Sequence, residues 1–192
     1  MKTLSFSPIP GDLQWKNDPA HWKVGPDNSL NITAGAKTDW FIEPSGSGSV
    51  STNAPVALFR PPVENFLLSA KVTVNFASTF DAGVLFLHER DDVWAKLCFE
   101  YSPEHKPMVV SVVTRGVSDD CNSTVIDGNT VYLRVMLWPS RCITRSMAST
   151  GIWCGTFRWA KWKACGPALR RSRPPAKVAT SSSRRSPTGP AS

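Results

Sequence analysis

Nine residues, Val93–Tyr101 (VWAKLCFEY), constrain this chain more than any others. They alternate without a break. Val93, Ala95, Leu97, Phe99 and Tyr101 fall on one side, and Trp94, Lys96, Cys98 and Glu100 on the other. A period of two sends alternate side chains to opposite faces of a pleated strand and does not suit a helix. The flanking stretches repeat the theme. Gly83–His88 is apolar and is set off by HERDD, while SPEHKP leads into Met108–Arg115. Asp81–Asp119 therefore reads as three consecutive strands joined by two polar turns, an antiparallel meander inside an all-β sandwich.

Shorter strands surround the meander, at Ser29–Thr33, Asp39–Ile42, Pro55–Arg60 and Phe66–Val74. Thr124–Ile126 and Val131–Leu137 flank Asp127-Gly128-Asn129, which has the chemistry of a hairpin turn. Pro8, Pro10, Gly11 and Pro19 break Ser5–Val24 into turns, and Glu43–Asn53 (EPSGSGSVSTN) reads as a flexible loop, long enough for a lid. Trp15 and Trp22 read as rings that plug a sheet edge or cap the core. The reading gives about nine strands and no helix. A chain of 192 residues can bury such a core without covalent staples.

The formal charge of +7 divides unevenly: residues 1–140 carry −4 and residues 141–192 carry +11, with no Asp or Glu among the latter. The basic charge belongs to the C-terminal segment, which reads as an Arg/Pro/Ser-rich tail, disordered beyond Pro167. Residues 1–137 are thus taken as the sandwich and 138–192 as an aberrant basic tail. No stretch approaches the roughly 20 apolar residues of a membrane helix, and the N-terminus has no signal-like apolar run. A cytoplasmic protein is expected, with its five cysteines as free thiols, since no CxxC spacing occurs. His21, His88 and His105 show no metal-ligand spacing, so neither a metal nor a cofactor is expected.

Several stretches, taken in order, carry a resemblance: WKNDPAHWKV, DNSLNITAGAKTDWFIEPSG, NAPVALFRPP, FDAGVLFLHERDDVWAKLCFEY and SVVTRGVSDDCNS. Over about residues 12–136 the chain resembles the concanavalin A-like family named after a "regulation of enolase" protein, mostly of unknown function. The resemblance implies a cytosolic jelly-roll sandwich of two antiparallel sheets, with no agreed catalytic residues. Members of that family continue with further strands where this chain gives VMLWPSRCITRSMASTGIW. Read one base earlier, the codons of Met147-Ala148 force a glycine and those of Trp153-Cys154 a valine, as a strand–turn–strand would need. Residues from about 136–146 onward are accordingly expected to be a frameshifted reading of the closing strands, which would leave the sandwich incomplete at its C-terminus.

For a ligand, the face of Trp94, Lys96 and Glu100 has the right residue types, an aromatic beside polar groups that suits a sugar ring and its hydroxyls. Arg115 and Asp119 could extend such a groove and Trp40 could add a second platform. The competing readings are sheet-face packing for the two tryptophans and an ion-paired turn for RGVSD. Glu89-Arg90-Asp91-Asp92-Val93-Trp94 echoes the ExDxxE strand of jelly-roll glucanases, but Trp94 stands where the second Glu belongs. No phosphate-binding glycine loop or serine-hydrolase elbow is present. The expected function is therefore a non-catalytic sandwich that binds a carbohydrate, a sugar-like metabolite or a protein partner, and the resemblance implies an influence on carbohydrate metabolism. The alternative is a glycoside-active enzyme using Glu89 or Asp91 with Glu100, and a third reading is nucleic-acid binding through the basic tail, if that tail is genuine.

Overall fold

The computed structural model describes residues 3–62 and 65–137, together with the backbone of strands at 143–147, 153–157 and 177–183. The strands begin with β1 (Thr3–Leu4), β2 (Leu13–Lys16), β3 (His21–Val24), β4 (Leu30–Thr33), β5 (Trp40–Ile42), β6 (Val50–Thr52), β7 (Val56–Phe59) and β8 (Phe66–Thr73). They continue with β9 (Ala82–Arg90), β10 (Val93–Tyr101), β11 (Pro107–Arg115), β12 (Val117–Val125) and β13 (Thr130–Leu137). The last three are β14 (Ile143–Met147), β15 (Trp153–Phe157) and β16 (Lys177–Ser183). The fold is all-β, and every pairing is antiparallel.

A large sheet runs β1-β2-β7-β16-β9-β10-β11-β12, and a smaller one runs β15-β14-β13-β8. The pairs β3–β4 and β5–β6 stand as two short ribbons. The meander of β9, β10 and β11 forms as its alternation requires, with Ala95 opposite Leu87 on one side and Val113 on the other. Between the two large sheets lies the main core. It takes Leu85 and Leu87 from β9, Ala95, Leu97 and Phe99 from β10, and Val131, Leu133 and Val135 from β13, with β8 packing Phe66, Leu68, Ala70 and Val72 against it. Burying each such Leu or Phe contributes about 1.5–3 kcal/mol. Gly83 belongs to this contact because a Cβ there would meet Val72 Cγ1 at 2.3 Å.

The structure corrects several details of the sequence reading. RGVSD is a one-residue reversal at Gly116 (φ 79°), after which β12 continues as a full strand. A run of serines, aspartates and asparagine hides that strand because it packs few apolar side chains. Thr124–Ile126 and Val131–Leu137 do not pair as a hairpin. The turn at Gly128 instead carries the chain from β12 in the large sheet to β13 in the small one, where β13 pairs with β8. Glu43–Asn53 contains β6, and the stretch read as N-terminal turns contains β2 and β3. Trp15 is in the core at 2 % exposure, while Trp22 is partly exposed with its ring 6.0 Å from that of Trp15.

Beyond Leu137 the chain still supplies strands. β14 pairs with β13, β15 with β14, and β16 lies between β7 and β9. The expectations of a shifted reading frame and of disorder past Pro167 fall in large part outside the described residues. No helix among the described residues is long and apolar enough to cross a membrane.

Candidate functional site

The face of the large sheet turned away from the small one is also largely buried. Val84, Phe86, Trp94, Cys98, Val110 and Val112 form a second apolar cluster on it, joined by Trp40, Ala54, Val56 and Leu58. This far face is organised in rows across β9, β10, β11 and β12, set by the strand register. The first row is His88, Trp94, Thr114 and Ser118, and the second is Phe86, Lys96, Val112 and Asp120. The third is Val84, Cys98, Val110 and Asn122, and the fourth starts Ala82, Glu100 and Met108. Polar groups therefore border a buried apolar patch, with Cys98, Val110 and Val112 all at 3 % exposure or less. Lys96 stands at one end of it, Glu100 at the other, and Asp120 and Asn122 on the exposed β12 side. From strand spacing this frame measures about 10 Å across and about 13 Å from Lys96 to Glu100.

The β5–β6 ribbon closes the first two rows. Trp40, 2 % exposed, sets its ring 5.1 Å from Phe86, 5.7 Å from His88 and 6.0 Å from Trp94. Its Nε1 donates to Ala54 O at 2.9 Å. Ile42 N donates to Ser118 Oγ, also at 2.9 Å, which ties the ribbon to β12. Just before β5, Asp39 receives Lys96 Nζ on Oδ1 at 3.0 Å, and both side chains are buried. A dry ammonium–carboxylate pair holds its place only when each partner neutralises the other. At the rim, Lys16 lies over the Trp40 ring, 5.2 Å from its centre, and pairs with Asp91, which also meets His88 Nε2 at 3.1 Å. The hydrogen bond from Lys16 is the main reason that the Asp91 carboxyl sits below its ordinary range.

Glu100 is the unusual group. Its side chain is deep enough in the face for desolvation to push its pKa from 4.5 up to about 7, with Lys96 opposing the rise and Asp120 adding to it. Between those two values the folded protein keeps a proton that the unfolded chain has lost. Stability should therefore fall as pH rises from about 4.5 to 7 and level off above. Melting curves of the wild type and Glu100→Gln across that window check this. The variant should lose this slope and melt higher than the wild type on the alkaline side, and parallel curves would contradict the assignment.

Of the residues expected from the sequence, Trp40, Trp94 and Lys96 come together, with Glu100 further along the same face. The two tryptophans are buried packing groups here and offer no open stacking platform. Arg115 and Asp119 are exposed and lie on the opposite face, because the register aligns them with Val93 and Ala95. They cannot extend the groove. Asp120 and Asn122 take that place, and counting by twos past Gly116 would have found them. Asp39 gave no such signal, since only the folding-over of β5 brings it to Lys96. Glu89 and Arg90 end β9 and Asp91-Asp92 turn into β10, with Arg90 paired to Glu89 and Asp92. No group of three or more metal-ligating side chains occurs among the described residues.

The DUF1349 family, described as a protein of unknown function, matches residues 15–168 and so extends past Leu137. The chain belongs to DUF1349. No curated protein matches it. Among solved structures this DUF1349 chain is similar to a functionally unknown protein from Saccharomyces cerevisiae, at 21% identity and a TM-score of 0.65. The likeness covers 88% of this chain and 92% of the yeast one. It is also similar to the GH43 protein BlXynB from Bacillus licheniformis, at 11% identity, a TM-score of 0.50, and 72% and 27% of the two chains. A GH43_12 retrieved from a capybara gut metagenome gives the same identity and TM-score over 75% and 30%. Because this DUF1349 chain spans less than a third of either GH43 chain, and at such low identity, these likenesses speak for a shared sandwich fold alone.

Proposed function

We propose that this DUF1349 protein is a non-catalytic sandwich that binds a small neutral polyhydroxy ligand, a sugar or sugar-like metabolite, at the Lys96–Glu100–Asp120–Asn122 frame. A role in carbohydrate metabolism would follow from that binding. The observation that carries the reading is Glu100, a half-buried carboxyl on a sheet face, with no hydrogen bond or ion pair to any described residue. Perturbed carboxyls of this kind concentrate at functional sites. The polar groups that border the buried patch also suit the hydroxyls along the edge of a sugar. With Asp39 already neutralising Lys96, the frame carries surplus negative charge, which favours neutral ligands over phosphorylated ones.

Carboxyl spacing favours binding over hydrolysis. Glu100 and Asp120 are two strands and four residues apart, about 16 Å at Cα. A retaining pair needs about 5–5.5 Å between carboxyls, closer than side chains of this length can bring them across that distance. Glu89 and Asp91 lie at the far end of β9–β10 from Glu100 and are no better placed. Calorimetric titration with glucose, xylose and their phosphates tests the proposal. A neutral sugar should bind, its phosphate more weakly. Glu100→Gln and Asn122→Ala should each weaken the neutral sugar about tenfold, the effect of losing one good hydrogen bond. Absence of any sugar binding, or binding indifferent to both substitutions, would sink it.

A further inference from the structure

Among the described strands β12 ends the large sheet, with β11 on one side and no strand on the other. The described strands of the C-terminal segment lie elsewhere, since β14 and β15 extend the small sheet and β16 lies between β7 and β9. β12 is nine residues long, and its middle, Asp119 to Ser123, is exposed throughout. Edges of that length are usually blunted by lysine, proline or a bulge, because their outward N–H and C=O groups pair readily with another chain. β12 has neither lysine nor proline. The β5–β6 ribbon is tied to one end through Ser118, and the register with β11 shifts near the other, between Met108 and Val110. Between these points the edge is straight.

The residues on that edge match one another about Cys121. Asp119-Asp120 precede it and Asn122-Ser123 follow it. Two copies of β12 paired antiparallel around a twofold axis at Cys121 therefore set Asp120 opposite Asn122 and Asp119 opposite Ser123. The Asn122 amide donates and the Asp120 carboxylate accepts, a favourable cross-strand pair that symmetry makes twice. An axis perpendicular to the sheet also keeps alternate side chains on matching faces of the two copies. Axes at Asp119 or Asp120 would instead place a carboxylate against its own copy, which opposes those registers.

We infer that the β12 edge is an interface for a second copy of this chain, joined antiparallel about Cys121 so that the two large sheets run on as one. The contact uses the same surface on both copies and closes at a dimer. It goes beyond the sugar-binding reading and does not depend on it.

Sedimentation velocity of the full-length protein over a concentration series, with reductant present, tests the inference. The wild type should form dimers. Asn122→Asp sets carboxylates opposite each other twice and should weaken the dimer about tenfold. Adding Asp120→Asn reverses the pair and should restore it. All three positions are exposed, so the variants should fold as the wild type does. Brief treatment with diamide, which takes up the two thiol hydrogens as the disulfide forms, should link the copies through Cys121. Opposed Cα atoms about 4.5–5.5 Å apart are within disulfide reach. Cys121→Ser should abolish the link. A dimer indifferent to Asn122→Asp, one that the added Asp120→Asn fails to restore, or a link that survives Cys121→Ser overturns the inference. So does a protein that stays monomeric, and protection of its β12 amides from hydrogen exchange would then show that the chain's own residues cover the edge.

Discussion

Replacing Lys96 by methionine should lower stability by about 3–5 kcal/mol, because the buried Asp39 carboxylate then loses the ammonium that neutralises it behind the β5–β6 ribbon. For a chain of this size that corresponds to a fall of roughly 6–20 °C in Tm. The physical cause is specific, so a second substitution checks it. Adding Asp39→Asn removes the carboxylate charge and should return a large part of the loss, whereas two unrelated lesions would simply add. Urea unfolding of the wild type, both single variants and the double variant measures the coupling. If Lys96→Met costs under about 1 kcal/mol, the pair behaves like an exposed one and is not dry.

Trp40→Ala should have an effect of similar size for a different reason. Its ring fills the space among Phe86, His88 and Trp94, and truncating a buried tryptophan costs about 3–5 kcal/mol through lost burial and the cavity left behind. The ribbon would also lose an anchor on β9 and β10, while the hydrogen bond from Ile42 N to Ser118 Oγ still ties it to β12. Faster proteolysis within Glu43–Ser49 and stronger acrylamide quenching of Trp94 fluorescence should accompany the loss. Trp40→Phe retains an aromatic ring and gives up the bond to Ala54, so it should fall between. A Trp40→Ala protein as stable and as resistant as the wild type would show that the ribbon is held by its backbone.

The central strands were legible because their two faces differ in kind along Val93–Tyr101, a pattern that tolerates no other period. β12 was not, since its serines and acids make a strand only by pairing with β11, and residue type carries little trace of that. Half of the candidate site followed from the same alternation, which placed Trp94, Lys96 and Glu100 together. The remainder depended on distances along the chain that no local pattern encodes. Asp39 reaches Lys96 across 57 positions, and the faces of Arg115 and Asp119 turn on the single residue Gly116. The exposure of the tryptophans was equally hidden, because alternation separates two faces without saying whether either meets water.

The pairing of β8 with β13 also shapes how the molecule can be made. Phe66, Leu68, Ala70 and Val72 leave the ribosome well before Val131, Leu133 and Val135, which stand beside them in the small sheet. At synthesis rates of about 5–20 residues per second, β8 waits several seconds with its backbone edge unpaired. The meander between them can form meanwhile from its own short connections, which close cheaply. The newborn chain is thus most vulnerable to aggregation in that interval, and slower translation would lengthen it.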